Sequence, residues 1–271
     1  MKMLTAAMGA FLLTACAAQS PAPAPVEKLL VATADGELLR VAAAQPAKVL
    51  ARVRLQGLAD GEQLVGIDFR VARGVLFGLS SRGQLYTINV ASGALTAVGE
   101  AVPLPAGKRF GFDFNPAADR IRLVSDTGAN QRRHPDTGVL VMNDAALAYA
   151  AAQTVPAVTA AAYTYNKRDE KLTTNYALDV ASGTLLMQGS KEGVVPAVSP
   201  NSGQLTEVGD LGTGAVDDAA FDISDVHNTA LAALRSKGQT RLYLLNLDTG
   251  AASLIGRLGD GAAIAGIAIE P

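Results

Sequence analysis

Three aspartates share one position in a short motif that returns along the chain. Asp68, Asp113 and Asp222 each lie third in a run of a small residue, an apolar residue, a variable residue and a second apolar residue. Alternation of this kind is typical of strands that bury one face, so we expect the carboxylates to meet at one level where the strands converge. Because Ca²⁺ prefers carboxylate oxygens, the pattern predicts a calcium-type cage. The structural alternative is bonding to the backbone amides of a neighbouring loop.

A second group of polar residues belongs to the most polar stretch of the chain, residues 110–138. Arg120 and Arg122 alternate on a predicted strand, so both point to one face and can hold the Asp113 carboxylate. The structural interpretation is an ion-pair network between neighbouring repeat units. The functional interpretation is a rim that binds an anionic or sugar-like ligand. The candidate residues are Asp113, Asn115, Asp119, Arg120, Arg122, Asn130 and Arg132.

The remaining reactive side chains give no catalytic pattern. His134 and His227 are the only histidines, and each lies alone in a turn-like context, which predicts two surface loop residues. The chain has no G-x-S-x-G nucleophile elbow, no phosphate-binding loop and no zinc spacing. The sequence therefore favours a non-catalytic protein without a cofactor, apart from the calcium alternative.

The only cysteine predicts where the protein is located. Cys16 ends the run Leu13-Thr14-Ala15-Cys16 after a short apolar segment that follows Lys2, as in a secretory signal that is cut at this point. That segment is shorter than the ~20 residues of a membrane-spanning helix. We therefore predict a bacterial lipoprotein signal peptide at residues 1–15, a palmitate-type lipid on Cys16, and a Pro- and Ala-rich spacer at residues 16–27.

The anchor makes the membrane the first predicted partner. By similarity to lipoprotein sorting in Gram-negative bacteria, the alanine after Cys16 favours the outer membrane, facing the periplasm. The net charge of −2 and the lack of a basic run argue against nucleic acid. The chain has no second cysteine, so the folded part must be held together without an intramolecular disulfide.

The aspartate motif is part of a longer repeat that predicts an all-β fold. The runs recur at roughly 45 to 60 residues, close to one four-stranded propeller blade, and each is followed by further alternating runs and Gly-containing hairpin turns. We predict one β-propeller domain at residues 28–271 with five four-stranded blades. Six blades are the alternative if the long interval between Tyr163 and Phe221 contains an extra pair of strands. The five runs lie at residues 66–69, 111–114, 162–165, 220–223 and 266–269.

The two ends of this domain complement each other. The chain finishes on a first strand without a continuation, residues 266–269, and begins with three strands without a first strand, residues 29–53. We predict that the C-terminal strand joins the N-terminal blade and closes the ring, which removes exposed sheet edges. The one stretch with helical character is the Ala-rich segment 143–153.

At its polar unit the chain resembles a known family. Residues 112–116, 119–125, 130–132 and 198–205 are similar to signature stretches of the bacterial proteins described as domain of unknown function 4394. The resemblance extends over residues 29–271. It implies an exported, β-propeller-like domain and implies no activity.

Two functions remain open from the sequence. The first is a non-catalytic, periplasm-facing lipoprotein whose propeller binds a protein, a cell-wall component or a small ligand. The second is a metal-assisted hydrolase or lactonase at the channel mouth, with Asp68, Asp113 and Asp222 around a divalent ion. The missing catalytic constellation favours the first, since a propeller serves either purpose.

Overall fold

The computed structural model describes residues 24–152 and 154–271, which form five antiparallel sheets arranged in a ring. Cys16 and the predicted signal peptide lie outside the described residues. Within them every regular element is a strand, apart from two short 3-10 turns at Val71–Arg73 and Pro200–Ser202. No helix in this part of the chain combines the length and apolar character needed to cross a membrane. The predicted all-β class is confirmed.

Each sheet is one blade, with its first strand at the central channel and its last at the periphery. Blade 1 contains β21 (Ile264–Ile269), β1 (Lys28–Thr33), β2 (Glu37–Ala42) and β3 (Val49–Arg54). Blade 2 contains β4 (Leu64–Arg70), β5 (Val75–Ser80), β6 (Leu85–Ile88) and β7 (Leu95–Val98). Blade 3 contains β8 (Phe110–Asn115), β9 (Arg120–Ser125), β10 (Asn130–Arg133) and β11 (Leu140–Asn143).

The other two blades follow the same order. Blade 4 contains β13 (Val158–Tyr163), β14 (Asn175–Asp179), β15 (Thr184–Gln188) and β16 (Gln204–Asp210), with the short parallel strand β12 (Ala148–Tyr149) beside β16. Blade 5 contains β17 (Asp218–Ile223), β18 (Ala230–Ser236), β19 (Gln239–Leu245) and β20 (Ala252–Arg257). Five blades are therefore confirmed and six is wrong, because the extra residues between Tyr163 and Phe221 form the loops 164–174 and 189–203.

The hydrophobic core is divided among the interfaces between blades. In β1, Leu29 and Val31 pack against blade 5, whereas Leu30 and Ala32 pack against blade 2. Successive side chains of a strand point to opposite faces, so an almost continuous apolar run fills two interfaces at once. Five such clusters, one between each pair of adjacent blades, hold the described chain together.

The ring closes as the sequence predicts. β21 pairs with β1 in antiparallel register, with Leu29 opposite Ile269 and Val31 opposite Ile267. The five innermost strands, β21, β4, β8, β13 and β17, each contact the next one around the channel. Blade 1 therefore has four strands, as the other blades have at least four.

Small residues allow these inner strands to approach closely. A Cβ atom on Gly66 would lie 2.5 Å from Cβ of Phe112, and one on Gly111 would lie 2.7 Å from the backbone nitrogen of Ala161. At this level the channel retains a cavity of only about 20 Å³, about the space of a single water. The small residues of the repeat thus form a narrow waist that separates the two channel mouths.

The predicted helix at residues 143–153 is wrong. The described part of this segment has no helix, and its backbone bonds to neighbouring blades: Leu147 N donates to Gly128 O at 2.8 Å, and Ala148 N donates to Gly203 O at 3.0 Å. The Leu147 side chain is fully buried. Burial of Leu147 and bonds to two other segments outweigh the helix propensity of the alanines.

Candidate functional site

The three repeated aspartates meet inside the channel, on the inner strands β4, β8 and β17. Asp68, Asp113 and Asp222 are 6%, 3% and 6% exposed. One carboxylate oxygen from each lies within 4.8 Å of the others, and they form the only group in the described residues with such metal-compatible geometry. The three carboxylates thus converge at one level of the channel, and the presence of an ion stays a prediction.

Each carboxylate also joins its blade to the next one. Asp68 Oδ2 accepts a hydrogen bond from Phe114 N at 2.7 Å, and Asp113 Oδ2 accepts one from Tyr163 N at 3.0 Å. Asp222 Oδ2 accepts one from Ile269 N at 2.5 Å. The structural alternative is thus also present, with amides of neighbouring inner strands in place of loop amides.

Two blades have alanine at the aspartate position, so they supply no carboxylate to an amide of the next blade. The second oxygens of two aspartates accept these hydrogen bonds instead. Asp68 Oδ1 accepts from its own neighbour Phe69 N at 2.7 Å, and Asp222 Oδ1 accepts from Ile223 N at 2.6 Å. Three carboxylates therefore satisfy five backbone amides, one from each blade, that point into the channel. Asp113 Oδ1 accepts no hydrogen bond within the described residues.

The amide ring corrects the predicted alignment of the fourth repeat. The sequence pattern places Thr164 at the aspartate position, but Tyr163 N bonds Asp113 as Phe114 N bonds Asp68, so Ala162 occupies that position. Thr164 lies just beyond the end of β13. A shift by two residues preserves the alternation of a strand, so the pattern alone cannot distinguish the two registers.

Burial and mutual repulsion change the acidity of this group. Burial raises the pKa of Asp222 to about 7 and the pKa of the adjacent Asp225 to about 6. For Asp68 and Asp113, burial and then the neighbouring carboxylates raise the pKa well above its usual range. Proton uptake or a bound cation relieves the repulsion of charges placed this close together.

A cavity of about 250 Å³ opens above the aspartates at one channel mouth. We call it the acidic mouth; its lining carboxylates are those of Asp68, Asp113, Asp119, Glu170, Asp222 and Asp225. Phe69, Phe114, Tyr163 and Tyr165 supply aromatic walls. Arg70 is the only basic lining residue, and its guanidinium is held by Asp119, with Nε to Oδ1 at 2.8 Å, and by Asp136.

The predicted grip of the arginines on Asp113 is wrong. Arg120 donates to the backbone oxygen of Asp119 at 2.8 Å, and Arg122 Nε donates to the Tyr163 hydroxyl at 2.9 Å. The tertiary structure separates these groups, because Asp113 points into the channel toward Tyr163 N, whereas Arg122 extends between blades 3 and 4. Asp119 is also removed from the predicted network, because its carboxylate binds Arg70 of blade 2.

Arg122 instead organises a buried polar interface between blades 3 and 4. Its side chain is 2% exposed and donates to Asn130 Oδ1, Asp144 Oδ2 and Asn201 Oδ1, each at 2.7 Å. The Asp144 carboxylate also accepts two hydrogen bonds from Arg132, one from Nε and one from Nη2, each at 2.8 Å. Arg122, Asn130 and Arg132 therefore take part in a polar network at the contact between blades 3 and 4.

Several partners in this interface were missed by sequence reasoning. Asp144 and Asn201 lie in connections outside the predicted polar stretch, and Tyr163 was assigned only as an inner-strand residue. No local pattern predicts their contacts with Arg122, since these partners are distant in sequence. Asn115 has a local role: its Oδ1 accepts from Ala118 N at 2.9 Å and holds the β8–β9 turn.

The two histidines have separate partners. His134 Nδ1 accepts from Asp136 N at 3.2 Å, and His227 Nδ1 lies 3.4 Å from Oε1 of Glu27. Neither belongs to the aspartate group. The opposite channel mouth, a cavity of about 220 Å³, is lined by Lys108, Arg109 and Arg235 together with Asp218. The two mouths therefore differ in charge.

Comparisons with known proteins indicate a family and a fold. Residues 37–268 match the family model described as "Domain of unknown function (DUF4394)". Comparison with the curated proteins gave no significant match.

Three solved structures match most of this chain, and two of them, with a TM-score of 0.50, illustrate the similarity of fold. A chain of a nidogen/laminin complex has a TM-score of 0.50 at 9% identity, with 90% of this chain and 98% of that chain covered. A structural genomics protein of unknown function from Bacteroides thetaiotaomicron VPI-5482 has a TM-score of 0.50 at 13% identity, with 86% and 56% covered. Dihydro-heme d1 dehydrogenase NirN in complex with DHE has a TM-score of 0.40 at 13% identity, with 87% and 44% covered. The chain thus spans about half the length of the last two, and the likeness concerns the fold alone.

The aspartate group predicts an unusual pH dependence of stability. The pKa of Asp222 is raised to about 7 in the folded protein, against about 4 in an unfolded chain. Between these values the folded protein binds more protons than the unfolded one, so the free energy of unfolding falls as pH rises from about 4 through 7. We expect a loss on the order of a few kcal/mol, measured by urea denaturation in the presence of a chelator.

The matched variants for this measurement are Asp222→Asn and Asp217→Asn. The first removes one of the groups whose pKa is raised and is expected to make the pH dependence less steep. The second removes an exposed carboxylate beside the opposite mouth and is expected to retain the wild-type slope. A free energy of unfolding that stays constant or rises between pH 5 and 8 in the wild type would contradict the assignment.

The polar interface predicts different effects for two neighbouring arginines. Arg122→Ala removes a buried guanidinium that donates to four partners, so we expect a cost on the order of 2 to 4 kcal/mol. Arg120→Ala removes one bond to a backbone oxygen, and we expect less than about 0.5 kcal/mol. Chemical denaturation of both variants is the measurement, and equal costs would disprove the distinction.

Proposed function

This chain belongs to the family described as a domain of unknown function, DUF4394, and we propose that it is a non-catalytic binding domain whose acidic mouth takes up a cation. The proposal rests on the three aspartates whose oxygens lie within 4.8 Å of one another. Ligands on opposite sides of a Ca²⁺ ion, each at about 2.4 Å, stand about 4.8 Å apart. Two oxygens that bind one such ion can be at most this far apart, and the three aspartates meet this limit, which supports a cation of the calcium class.

The hydrogen bonds of the aspartates are compatible with this role. A carboxylate oxygen that accepts one amide proton keeps a second lone pair, and Asp113 Oδ1 keeps both. The amides also fix the orientation of each carboxylate, so little ordering is needed on binding. The positive charge of the ion would offset the repulsion that raises the pKa of Asp68 and Asp113.

The lining of the acidic mouth supports binding more than chemistry. It contains carboxylates and aromatic rings, and no serine, cysteine, lysine or histidine is among the residues that line it. One observation keeps a metal-assisted hydrolase or lactonase as the second candidate: the pKa of Asp225 is raised to about 6 by burial, near the range that suits a general base. The experiment below distinguishes the two.

The cellular setting is part of the same proposal and rests on the sequence. The apolar segment that ends at Cys16 supports a lipid anchor, and the alanine after it supports an outer-membrane location that faces the periplasm. In that position the propeller binds a small ligand, a cell-wall component or another protein. The modest net charge of −2 gives no support to nucleic acid as a partner.

Cation uptake is tested with Asp113→Asn. Asparagine can still accept the hydrogen bond from Tyr163 N through its amide oxygen, so the change removes charge while it preserves the contact between blades. We expect Ca²⁺ to raise the Tm of the wild-type protein by several degrees, and the variant to bind Ca²⁺ at least about tenfold more weakly. Calorimetric titration and thermal melts at constant ionic strength measure both effects.

Asp217→Asn serves as the control, since it removes one negative charge beside the opposite mouth, and it should bind Ca²⁺ as the wild type does. If wild type and Asp113→Asn respond equally, the site is not in the channel mouth. Calcium-dependent turnover of a panel of lactones and esters that disappears in Asp113→Asn would replace the binding proposal by the enzymatic one.

The anchor has its own test. Cys16→Ser removes the thiol that would carry the lipid, so we expect the variant to leave the detergent-soluble membrane fraction and to lose incorporation of labelled palmitate. Recovery of Cys16→Ser in the same membrane fraction as the wild type would refute the lipoprotein proposal.

A further inference from the structure

A second, smaller cavity lies beside the acidic mouth, between blades 3 and 4. It has a volume of about 120 Å³ and is lined by residues of β9 and β10, by Tyr163 of β13 and by the 3-10 turn of blade 4. Three arginines, Arg120, Arg122 and Arg132, reach it from blade 3. We call it the arginine cavity.

The charges around this cavity do not balance. Arg122 and Arg132 share a single carboxylate, that of Asp144. Asp119 precedes Arg120 in sequence, but both oxygens of its carboxylate accept hydrogen bonds from Arg70. Arg120 itself donates only to the backbone oxygen of Asp119, and no carboxylate pairs with it among residues 24–152 and 154–271. Three guanidiniums thus face one carboxylate.

Hydrogen-bond donors are in excess in the same way. Arg120 Nε and Nη2 and Arg132 Nη1 have no acceptor within the described chain. The Asn201 side chain uses its oxygen to accept from Arg122, which leaves its amide group as a donor. The Ser199 oxygen accepts from Asn201 N, so its hydroxyl proton remains available. The cavity wall therefore presents donors to whatever it holds.

We propose that the arginine cavity binds an oxyanion group, the carboxylate or phosphate of a small molecule. Guanidinium groups bind carboxylate and phosphate oxygens in a bidentate fashion and are the usual choice for both. A volume of about 120 Å³ is several times the space that one water needs. It accommodates one such group, while the rest of the ligand extends outward.

The structural role of the network does not account for Arg120. Arg122 is buried among four partners and Arg132 pairs with Asp144, so both are explained by the contact between blades. Arg120 lies on the same face of β9, two residues from Arg122, without contributing to that contact. Its position at the cavity wall is accounted for by a ligand.

This site goes beyond the proposed cation site and has the opposite charge. Asn115 and Tyr163 line both the arginine cavity and the acidic mouth, so the two sites are neighbours on one face of the propeller. The oxyanion would be held by blade 3 guanidiniums and by the turn of blade 4. Neither site needs the other to be occupied.

The test uses inorganic phosphate and acetate as probes on the whole purified protein, with chloride at equal ionic strength as the reference. We expect millimolar phosphate or acetate to raise the Tm by about 2–4 °C over chloride. Arg120→Gln is expected to weaken binding of the effective probe at least about tenfold. Arg120→Lys keeps the positive charge but lacks the planar guanidinium that binds an oxyanion through two N–H groups. We expect its affinity for the probe to lie between those of the wild type and Arg120→Gln.

Arg54→Gln is the matched control. Arg54 also donates to an aspartate backbone oxygen, that of Asp35, but it is exposed and lies on blade 1. Its loss should leave probe binding unchanged. Equal weakening by Arg54→Gln and Arg120→Gln would show that the effect is unspecific charge screening and would overturn the proposal, as would the absence of any shift with either probe.

The same titrations distinguish the two sources of the oxyanion. A larger Tm shift with phosphate indicates a phosphorylated ligand, and a larger shift with acetate indicates a carboxylic acid. Arg120→Gln removes no contact between blades, so we expect it to fold as the wild type does. A loss of probe binding by this variant is therefore not caused by unfolding.

Discussion

The structure depends on five backbone amides that point into a closed channel and must find acceptors there. An unpaired buried N–H group costs about as much as a lost hydrogen bond, so a ring of five is not tolerated without partners. Three aspartates supply them, and three of the five bonds run from one blade to the next. The carboxylates therefore stabilise the ring and at the same time concentrate negative charge at the bottom of the acidic mouth.

Both functions of the aspartates follow from the same geometry. Carboxylates that converge on amides also converge on one another inside the channel, where burial and then the charge of the neighbouring Asp225 raise the pKa of Asp222 to about 7. A group held in this state responds to protons or cations without a change in the fold. The apolar waist below, narrowed by Gly66 and Gly111, confines this response to one mouth.

Blades 3 and 4 meet differently from the other pairs. Their shared apolar cluster contains Val124 as the buried residue from blade 3, whereas Arg122, Asn130 and Gln188 bury polar groups in the same interface. A buried polar network is stable only when its members are satisfied, and Arg122 meets this condition. Arg120 has side-chain donors without an acceptor in the described residues, and beside it the interface opens into the arginine cavity.

The sequence by itself determined the repeat, the five blades, the closing strand and the convergence of Asp68, Asp113 and Asp222, because alternation and spacing are local properties that a propeller preserves. It could not determine the register of β13, since a shift from Ala162 to Thr164 keeps the alternation. Nor could it assign Asp144, Asn201 and Tyr163 to Arg122, or predict that Asp119 binds Arg70 in another blade. Only the tertiary structure decided these pairs, because each joins segments that ring closure brings together and no local pattern records such contacts.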